Sequence, residues 1–143
     1  MKKLIYVLLL AVTILAPVQR VDVGSLQPVE ILSVSKEREK IVIQTDADDL
    51  GFGDNIEEAV MDLMETSTGV IYLDTVEFLL LEKECENEVG GLIEKLNNWV
   101  RVCYLQGKPS LKVAREYLRA HGVFPNISEW QKGKRLPTLL CEK

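Results

Sequence analysis

The alternation of apolar and polar residues predicts a β-hairpin early in the main body of the chain. Residues 29–34 alternate in this way, and residues 40–45 are rich in β-branched side chains. A polar stretch at residues 36–39 separates the two segments. Two such runs on either side of a polar turn are typical of paired antiparallel strands. An acidic, glycine-containing loop is expected to follow at residues 46–53.

The next segment has the spacing of an amphipathic helix. Its apolar residues recur at intervals of three and four and would form one buried face: Ile56, Ala59, Val60, Leu63 and Met64. Asp54 is predicted to cap the N-terminus of this helix, with Glu57 completing a capping box. The helix is expected to end near residues 67–69.

The second half of the chain continues to mix strands and helices. We expect strands at residues 70–73, 76–81 and 99–105, helices at residues 83–96 and 110–121, a helical turn at residues 128–132, and an extended end. Gly90 and Gly91 weaken the first of these helices by about 1 kcal/mol each. In the second, Ser110 and Gly122 are the expected boundaries, with Leu111, Ala114, Tyr117 and Leu118 facing inward.

These elements predict an α+β fold. We expect a mixed, mostly antiparallel sheet of about five strands, with two or three helices on one face. The length of 143 residues suits one such domain. We therefore expect a signal peptide or signal anchor at residues 1–20, a linker at residues 21–28 and a single domain at residues 29–143.

The first 20 residues have the layout of a targeting segment. Lys2 and Lys3 precede an almost unbroken apolar run at residues 4–18. As a helix this run would span about 22 Å, which is short for a bilayer core of about 30 Å. Ala16 offers a cleavage position, but Pro17 follows it, so cleavage and retention as a membrane anchor both stay open. In either case the positive-inside rule predicts an extracytoplasmic body, secreted or anchored in the cell membrane.

The charge of the body argues against nucleic acid as a partner. Lys2, Lys3 and Arg20 are three of the 17 basic residues, and none of the 22 acidic residues lies among the first 20, so residues 21–143 carry a net charge of −8. Affinity for phosphate backbones comes largely from Lys and Arg. We therefore expect no nucleic-acid partner, and a membrane contact through the N-terminal segment.

The three cysteines are widely spaced. Cys85, Cys103 and Cys141 form no Cys-x-x-Cys motif and no Cys/His pair, so no zinc site is expected. Cys103 lies among alternating apolar neighbours and is expected in the core. Two alternatives remain for the others: a Cys85–Cys141 disulfide, which an oxidising compartment would permit, or free thiols.

The acidic loop is the candidate metal site. Asp46, Asp48, Asp54 and Glu57 fall at positions 1, 3, 9 and 12 of a calcium-binding loop, with Gly51 at position 6. Leu50 stands at position 5, where an oxygen ligand is needed, and a strand rather than a helix precedes the loop. The alternative interpretation is a solvated loop that leads into a capped helix.

Other polar residues give little sign of catalysis. His121, the single histidine, is expected at a helix C-terminus, where a cation interacts favourably with the helix dipole. Asp74 and Glu77 flank a strand start and suggest an acid–base pair, although exposed carboxylates in a turn are the simpler interpretation. We expect no catalytic residue and no cofactor. Trp99, Phe124 and Trp130 are either core residues or parts of a contact patch, since aromatic side chains often anchor interfaces.

The middle of the chain resembles a known family. A strand ending in Gln44 is followed by Gly-x-x-Ile-Glu-Glu-Ala at residues 53–59, then by Tyr72-Leu73 and a second apolar strand. This order resembles the N-terminal domain of the Ger(x)C family, the C-subunits of spore germinant receptors, over residues 29–121. Members of that family are lipoproteins, whereas no cysteine follows the apolar run here. The resemblance implies a non-enzymatic, extracytoplasmic part of a membrane assembly in a spore-forming bacterium.

The leading hypothesis is therefore a non-catalytic exported or membrane-anchored interaction module associated with sporulation or germination. It would bind other membrane or spore-envelope proteins through a sheet edge or through the segment around Trp130. The alternative is a small exported calcium-binding module or enzyme that uses the acidic loop at residues 46–57.

Overall fold

A computed structural model describes residues 23–141 of the chain. The predicted signal or anchor segment at residues 1–20 lies outside the described residues. Within residues 23–141, no helix is long and apolar enough to cross a membrane.

The described chain alternates between strands and helices. The strands are β1 (Leu26–Pro28), β2 (Ile31–Glu37), β3 (Lys40–Thr45), β4 (Leu50–Gly53), β5 (Val70–Tyr72), β6 (Phe78–Leu81), β7 (Arg101–Gln106) and β8 (Thr138–Leu140). The helices are α1 (Ile56–Thr66), α2 (Gly90–Ile93), α3 (Leu111–His121) and α4 (Ile127–Gln131). Short 3-10 turns lie at Val23–Ser25, Leu73–Thr75 and Lys83–Cys85.

One mixed sheet organises the described part of the molecule. Its six strands have the order β4-β3-β2-β6-β7-β8. The pairs β4–β3 and β3–β2 are antiparallel, whereas β2–β6, β6–β7 and β7–β8 are parallel. The strands β1 and β5 form a separate parallel pair.

The predicted α+β class and the mixed sheet are confirmed. In detail, the sheet has six strands among the described residues rather than about five, and three of its five pairings are parallel. The parallel pairings arise because a crossover precedes each of β6, β7 and β8 and returns the chain to the end of the sheet where its neighbouring strand starts. Local residue patterns locate strands, but they do not show the direction in which distant strands pair.

The predicted hairpin is β2–β3. Glu37 pairs with Lys40, and the two residues between them, Arg38 and Glu39, have φ values of 49° and 69°. Two consecutive residues with positive φ form the tight turn that matches the twist of paired strands.

The acidic loop expected at residues 46–53 contains a strand instead. Gly51 and Gly53 suggested a loop, yet both lie in β4. A Cβ on Gly51 would lie 2.2 Å from the carbonyl oxygen of Ala59, and one on Gly53 would lie 2.4 Å from the Ala59 nitrogen. The two glycines therefore allow α1 to pack directly on the backbone of β4.

The helix that follows is capped one residue later than predicted. Asn55, rather than Asp54, is the N-cap, and its side-chain oxygen accepts a hydrogen bond from the Glu58 N–H at 2.9 Å. Glu58 in turn accepts one from the Asp54 N–H at 3.0 Å. The capping partner is therefore Glu58 and not Glu57.

The helix expected at residues 83–96 is interrupted. The segment contains a 3-10 turn at Lys83–Cys85 and the four-residue helix α2. Gly91 lies within α2, where a Cβ would lie 2.1 Å from Oε1 of Glu57, so this glycine allows a close approach of Glu57. Of the five apolar residues that predicted the helix, Cys85, Val89, Leu92 and Leu96 are nevertheless buried, and Ile93 is half-buried.

Helices cover both faces of the sheet rather than one. On the first face, α1, α2 and α4 pack on alternate strand residues such as Leu32, Leu79 and Val102. On the second face, Leu111, Ala114 and Leu118 of α3 pack on Ile31, Phe78, Leu80, Cys103 and Leu105. The apolar runs of β6 and β7 are thus buried from both sides, as expected for central parallel strands.

Candidate interaction surface

The strand β8 forms one edge of the main sheet. The N–H of Cys141 and the C=O of Pro137 both hydrogen-bond to β7. Because alternate residues of a strand face a given neighbour, Thr138 and Leu140 direct their main-chain polar groups away from the sheet. Such an edge can pair with a further strand.

A groove of about 590 Å³ runs between this edge strand and α3. Its lining comes from the N-terminal half of the helix and from β8: Pro109, Ser110, Val113, Ala114, Tyr117, Thr138, Leu139, Leu140 and Cys141. Most of these side chains are apolar. Among residues 23–141, no further strand pairs with this edge of β8. The groove and the edge are therefore adjacent parts of one surface, which we name the β8 groove.

The periodicity of α3 explains why its outer side is apolar. Val113 and Tyr117 lie one helical turn apart, beside the buried stripe of the helix, and Val113 is 68% exposed. Tyr117 was expected to face inward, but it is also exposed, and its ring stacks on His121 with centroids 4.4 Å apart. An apolar pair of this kind on an exposed helix side is available for contact.

A basic segment leads into β8. Lys132, Lys134 and Arg135 are all exposed. Lys134 pairs with Glu129 at 2.9 Å, which lowers the pKa of that carboxyl group. Lys132 and Arg135 form no ion pair with another described residue. They carry positive charge in the segment before the start of β8, where Arg135 lines a separate pocket with Trp130 and Leu136.

Two thiols lie at the β8 groove. Cys141 is half-buried in its wall, and Cys103 is buried in the second-face core beneath it. Burial raises the pKa of Cys103 to about 12 and also raises the pKa of Cys141. The thiolate is the nucleophilic form of cysteine. Both thiols are therefore protonated at neutral pH and poorly suited to covalent catalysis.

Of the two alternatives for the cysteines, the Cys85–Cys141 disulfide does not fit this fold. Cys85 lies in the core of the first face, whereas Cys141 packs against the core of the second. The sheet separates the two sulfur atoms, and a disulfide needs Cα atoms within about 7 Å. All three cysteines are free in the structure.

The calcium loop predicted at residues 46–57 is not the geometry observed. Its carboxylates Asp46, Asp48 and Asp54 pair with three different cations, Arg115, Lys112 and Lys40, at 3.6, 3.3 and 3.6 Å. Glu57 lies over Gly91. Across residues 23–141, no group of three or more His, Cys, Asp or Glu side chains is arranged to hold a metal ion. The four carboxylates are not brought together because β4 extends the backbone where a calcium loop must curl.

Asp46 is a structural residue at the end of β3. Its carboxylate is buried and accepts a hydrogen bond from the Glu30 N–H at 3.2 Å. Its other oxygen lies 3.6 Å from Arg115. Asp46 therefore joins the end of β3, the start of β2 and helix α3.

An ion-pair network extends from Asp46 and Arg115 along the end of the sheet where β2, β6 and β7 start. Glu30 lies 3.1 Å from Arg115 and 3.3 Å from Arg119. Glu77 lies 3.3 Å from Arg119 and 4.0 Å from Arg101. The network connects α3 to the starts of β2, β6 and β7. Each carboxylate of the network is paired with a guanidinium group, so the network is suited to attaching α3. Both carboxylate oxygens of Glu77 are engaged in these pairs, which leaves neither of them free for acid–base chemistry.

The remaining candidate residues are dispersed. The hydrogen bond with Asp74 raises the pKa of the Tyr72 hydroxyl, whereas Glu77 pairs with Arg119. Asp74 and Glu77 therefore engage different partners. Trp99 is exposed, Phe124 meets Phe78 edge-on at 6.5 Å on the second face, and Trp130 packs on the core of the first face. The three aromatic candidates therefore do not form one patch.

The β8 groove was only partly foreseeable. A sheet edge was an expected docking route, but the position of β8 depends on pairing with a strand more than 30 residues earlier. The sequence did contain one signal, the apolar pair Val113 and Tyr117 beside the inward stripe of α3.

Comparisons of the chain with protein-family models, with curated proteins and with solved structures find no match. The resemblance to the Ger(x)C family therefore stays a prediction from the sequence pattern.

Proposed function

We propose that this protein is a non-catalytic interaction module that captures an extended segment of a partner protein along the β8 groove. The observation that carries the proposal is the unpaired edge of β8 beside an apolar groove of about 590 Å³. Main-chain hydrogen bonds to a sheet edge supply affinity in this mode of binding, and pockets for alternate side chains supply specificity.

The shape and charge of the surface define the partner segment. A strand added to β8 would place every second side chain in the groove beside Val113 and Tyr117, so those residues should be apolar. Lys132 and Arg135 lie in the exposed segment that leads into β8, so they favour an acidic residue where the partner segment passes the start of β8. The expected ligand is thus an extended apolar stretch with an acidic end.

The cellular setting of the proposal comes from the sequence. The targeting segment at residues 1–20 supports an exported or membrane-anchored protein, and the net charge of −8 over residues 21–143 disfavours nucleic acid. The resemblance to germinant-receptor subunits supports a membrane or spore-envelope protein as the partner.

A peptide selection tests the proposal directly. A phage-displayed library of short random peptides is panned on the full chain, and the enriched peptides are synthesised and measured by calorimetry. We expect sequences with alternating apolar residues and an acidic flank. Leu140→Pro should weaken their binding about tenfold or more, because it removes one outward N–H and leaves the hydrogen bonds to β7 in place.

Two further variants make the test specific. Val113→Glu places a charge on the groove wall and should also weaken binding. Met61→Glu is the matched control, because Met61 is 57% exposed on α1, away from the groove, and should bind peptides as the parent does. Enriched peptides that bind equally well to Leu140→Pro and Val113→Glu, with unchanged melting temperatures, would sink the proposal.

A further inference from the structure

The described chain begins at the sheet edge where three parallel strands start. Strand β1 pairs with β5, with Leu26 opposite Val70 and Pro28 opposite Tyr72. Next along the chain, the Val29 N–H donates to Oγ1 of Thr75 at 3.1 Å, immediately before β2. The chain therefore enters the domain at the end of the sheet where β2, β6 and β7 start. We name this end of the sheet the entry edge.

The entry edge is tethered close to any bilayer that holds the N-terminal segment. The apolar run ends at Val18 and β1 begins at Leu26, which leaves seven residues between them. Seven residues reach at most about 25 Å even when fully extended. If residues 1–20 are anchored, the entry edge is the part of the domain nearest to the lipid surface.

Exposed apolar and aromatic side chains surround this edge. Trp99 precedes β7 and is 52% exposed, and the preceding Asn97 donates a side-chain hydrogen bond to the carbonyl of Asp74. Val123 is 96% exposed, beside Gly122, whose carbonyl accepts a hydrogen bond from Arg101 at the start of β7. Val70 and Tyr72 of β5 are exposed at the same edge. Tyr and Trp favour the interface between water and lipid because one end of each ring is polar.

Two acidic groups of the entry edge, Glu30 and Glu77, are neutralised within the fold, whereas Asp74 is exposed and hydrogen-bonds to Tyr72. Glu30 and Glu77 pair with Arg115, Arg119 and Arg101 in the ion-pair network. Approach to a lipid headgroup region therefore does not require burying unpaired carboxylates from those two residues.

We infer that the entry edge is a membrane-contacting surface, with Trp99 and Val123 seated in the headgroup region of the bilayer that holds the N-terminal segment. The inference rests on the predicted anchor and is independent of the β8 groove. It commits to a lipid surface as the occupant, because the tether brings lipid to this edge and the exposed residues there suit an interface.

The two tryptophans of the chain give a direct test. The full chain is synthesised in a cell-free reaction with phosphatidylcholine vesicles, some brominated near the headgroup and some near the bilayer centre. Trp130→Phe leaves Trp99 as the single tryptophan of the chain. Trp99→Phe leaves Trp130, which packs on the first-face core, as the matched control. We expect headgroup-proximal bromine to quench Trp99 at least about twofold more than Trp130.

Two further measurements decide the outcome. Val123→Glu should reduce the quenching of Trp99, whereas Met61→Glu on α1 should leave it unchanged. Co-flotation with vesicles but equal quenching of the two tryptophans overturns the inference. A full chain that does not float with the vesicles overturns it as well, and neither result bears on peptide binding at the β8 groove.

Discussion

At the scale of single residues, Asp46 shows how a feature that suggests metal binding is used for structure. Its buried carboxylate accepts from the backbone of Glu30 and faces Arg115. Asp46→Ala leaves that N–H without its acceptor and Arg115 with Glu30 as its remaining carboxylate partner, and we expect a loss of about 1–3 kcal/mol in the free energy of unfolding. Asp46→Asn keeps an acceptor oxygen and should lose clearly less. Urea denaturation of both variants measures this, and equal losses would contradict the assigned role.

The thiols provide a second prediction at this scale. Burial raises the pKa of Cys85 to about 11 and that of Cys103 to about 12, so the neutral thiol is the stable form of each in the fold. Since a raised pKa lowers the thiolate fraction, both should react slowly with a disulfide reagent at pH 8. The half-buried Cys141 should react first, and Cys141→Ser should abolish the fast phase. A fast phase that persists in this variant would show that the buried thiols are accessible.

At the scale of elements, the packing of α1 on β4 depends on glycine. A Cβ at Gly51 would lie within 2.2 Å of helix backbone, whereas a Cβ at Gly90 of α2 would meet nothing within 4 Å. We expect Gly51→Ala to destabilise the fold by about 1–3 kcal/mol through overpacking. Gly90→Ala should be neutral or stabilising by up to about 1 kcal/mol, because alanine favours helix. Chemical denaturation compares the two, and similar stabilities would argue against direct contact between α1 and β4.

These elements also show what local patterns predict. The spacing of apolar residues at 56, 59, 60, 63 and 64 predicted α1, and the first four of them are buried in it, whereas Met64 is exposed. The strands β2 and β3 around the hairpin turn were predicted from equally local patterns. The same reasoning failed at residues 50–53, because Gly51 suggested a loop when its role is a close helix contact. It failed again at residues 83–96, where a 3-10 turn and a four-residue helix replace the predicted continuous helix.

The candidate surfaces depend even more on distant contacts. The β8 groove exists because β8 joins β7 at the edge and α3 lies on the second face. The entry edge exists because the starts of β2, β6 and β7 converge there. The local residue pattern does not predict either convergence. The apolar residues on each surface, such as Val113 and Val123, are present in the sequence, but the pattern alone does not show whether they are buried or exposed.

At the scale of the whole molecule, the two faces of the sheet are unequally stabilised. Among the described residues, the core of the first face contains twenty buried residues and that of the second face eight. Helix α3 is held on the second face by Leu111, Ala114 and Leu118, together with the partly exposed ion pairs of Arg115 and Arg119. Regions with few buried contacts open locally at a lower free energy than the rest of a domain.

We therefore expect α3 and β8 to open before the remainder of the fold. In native-state hydrogen exchange, amides of α1, β2 and β6 should exchange only through global unfolding, whereas those of α3 should exchange faster. Salt at about 1 M shortens the Debye length to about 3 Å, so it should accelerate exchange in α3 but not in α1. Leu118→Ala should accelerate amide exchange in α3 selectively, whereas Leu63→Ala in α1 should accelerate amide exchange in every element. Exchange of α3 at the global rate would mean that the two faces unfold as one unit, and the β8 groove would then be as rigid as the first-face core rather than a surface able to adjust to a captured strand.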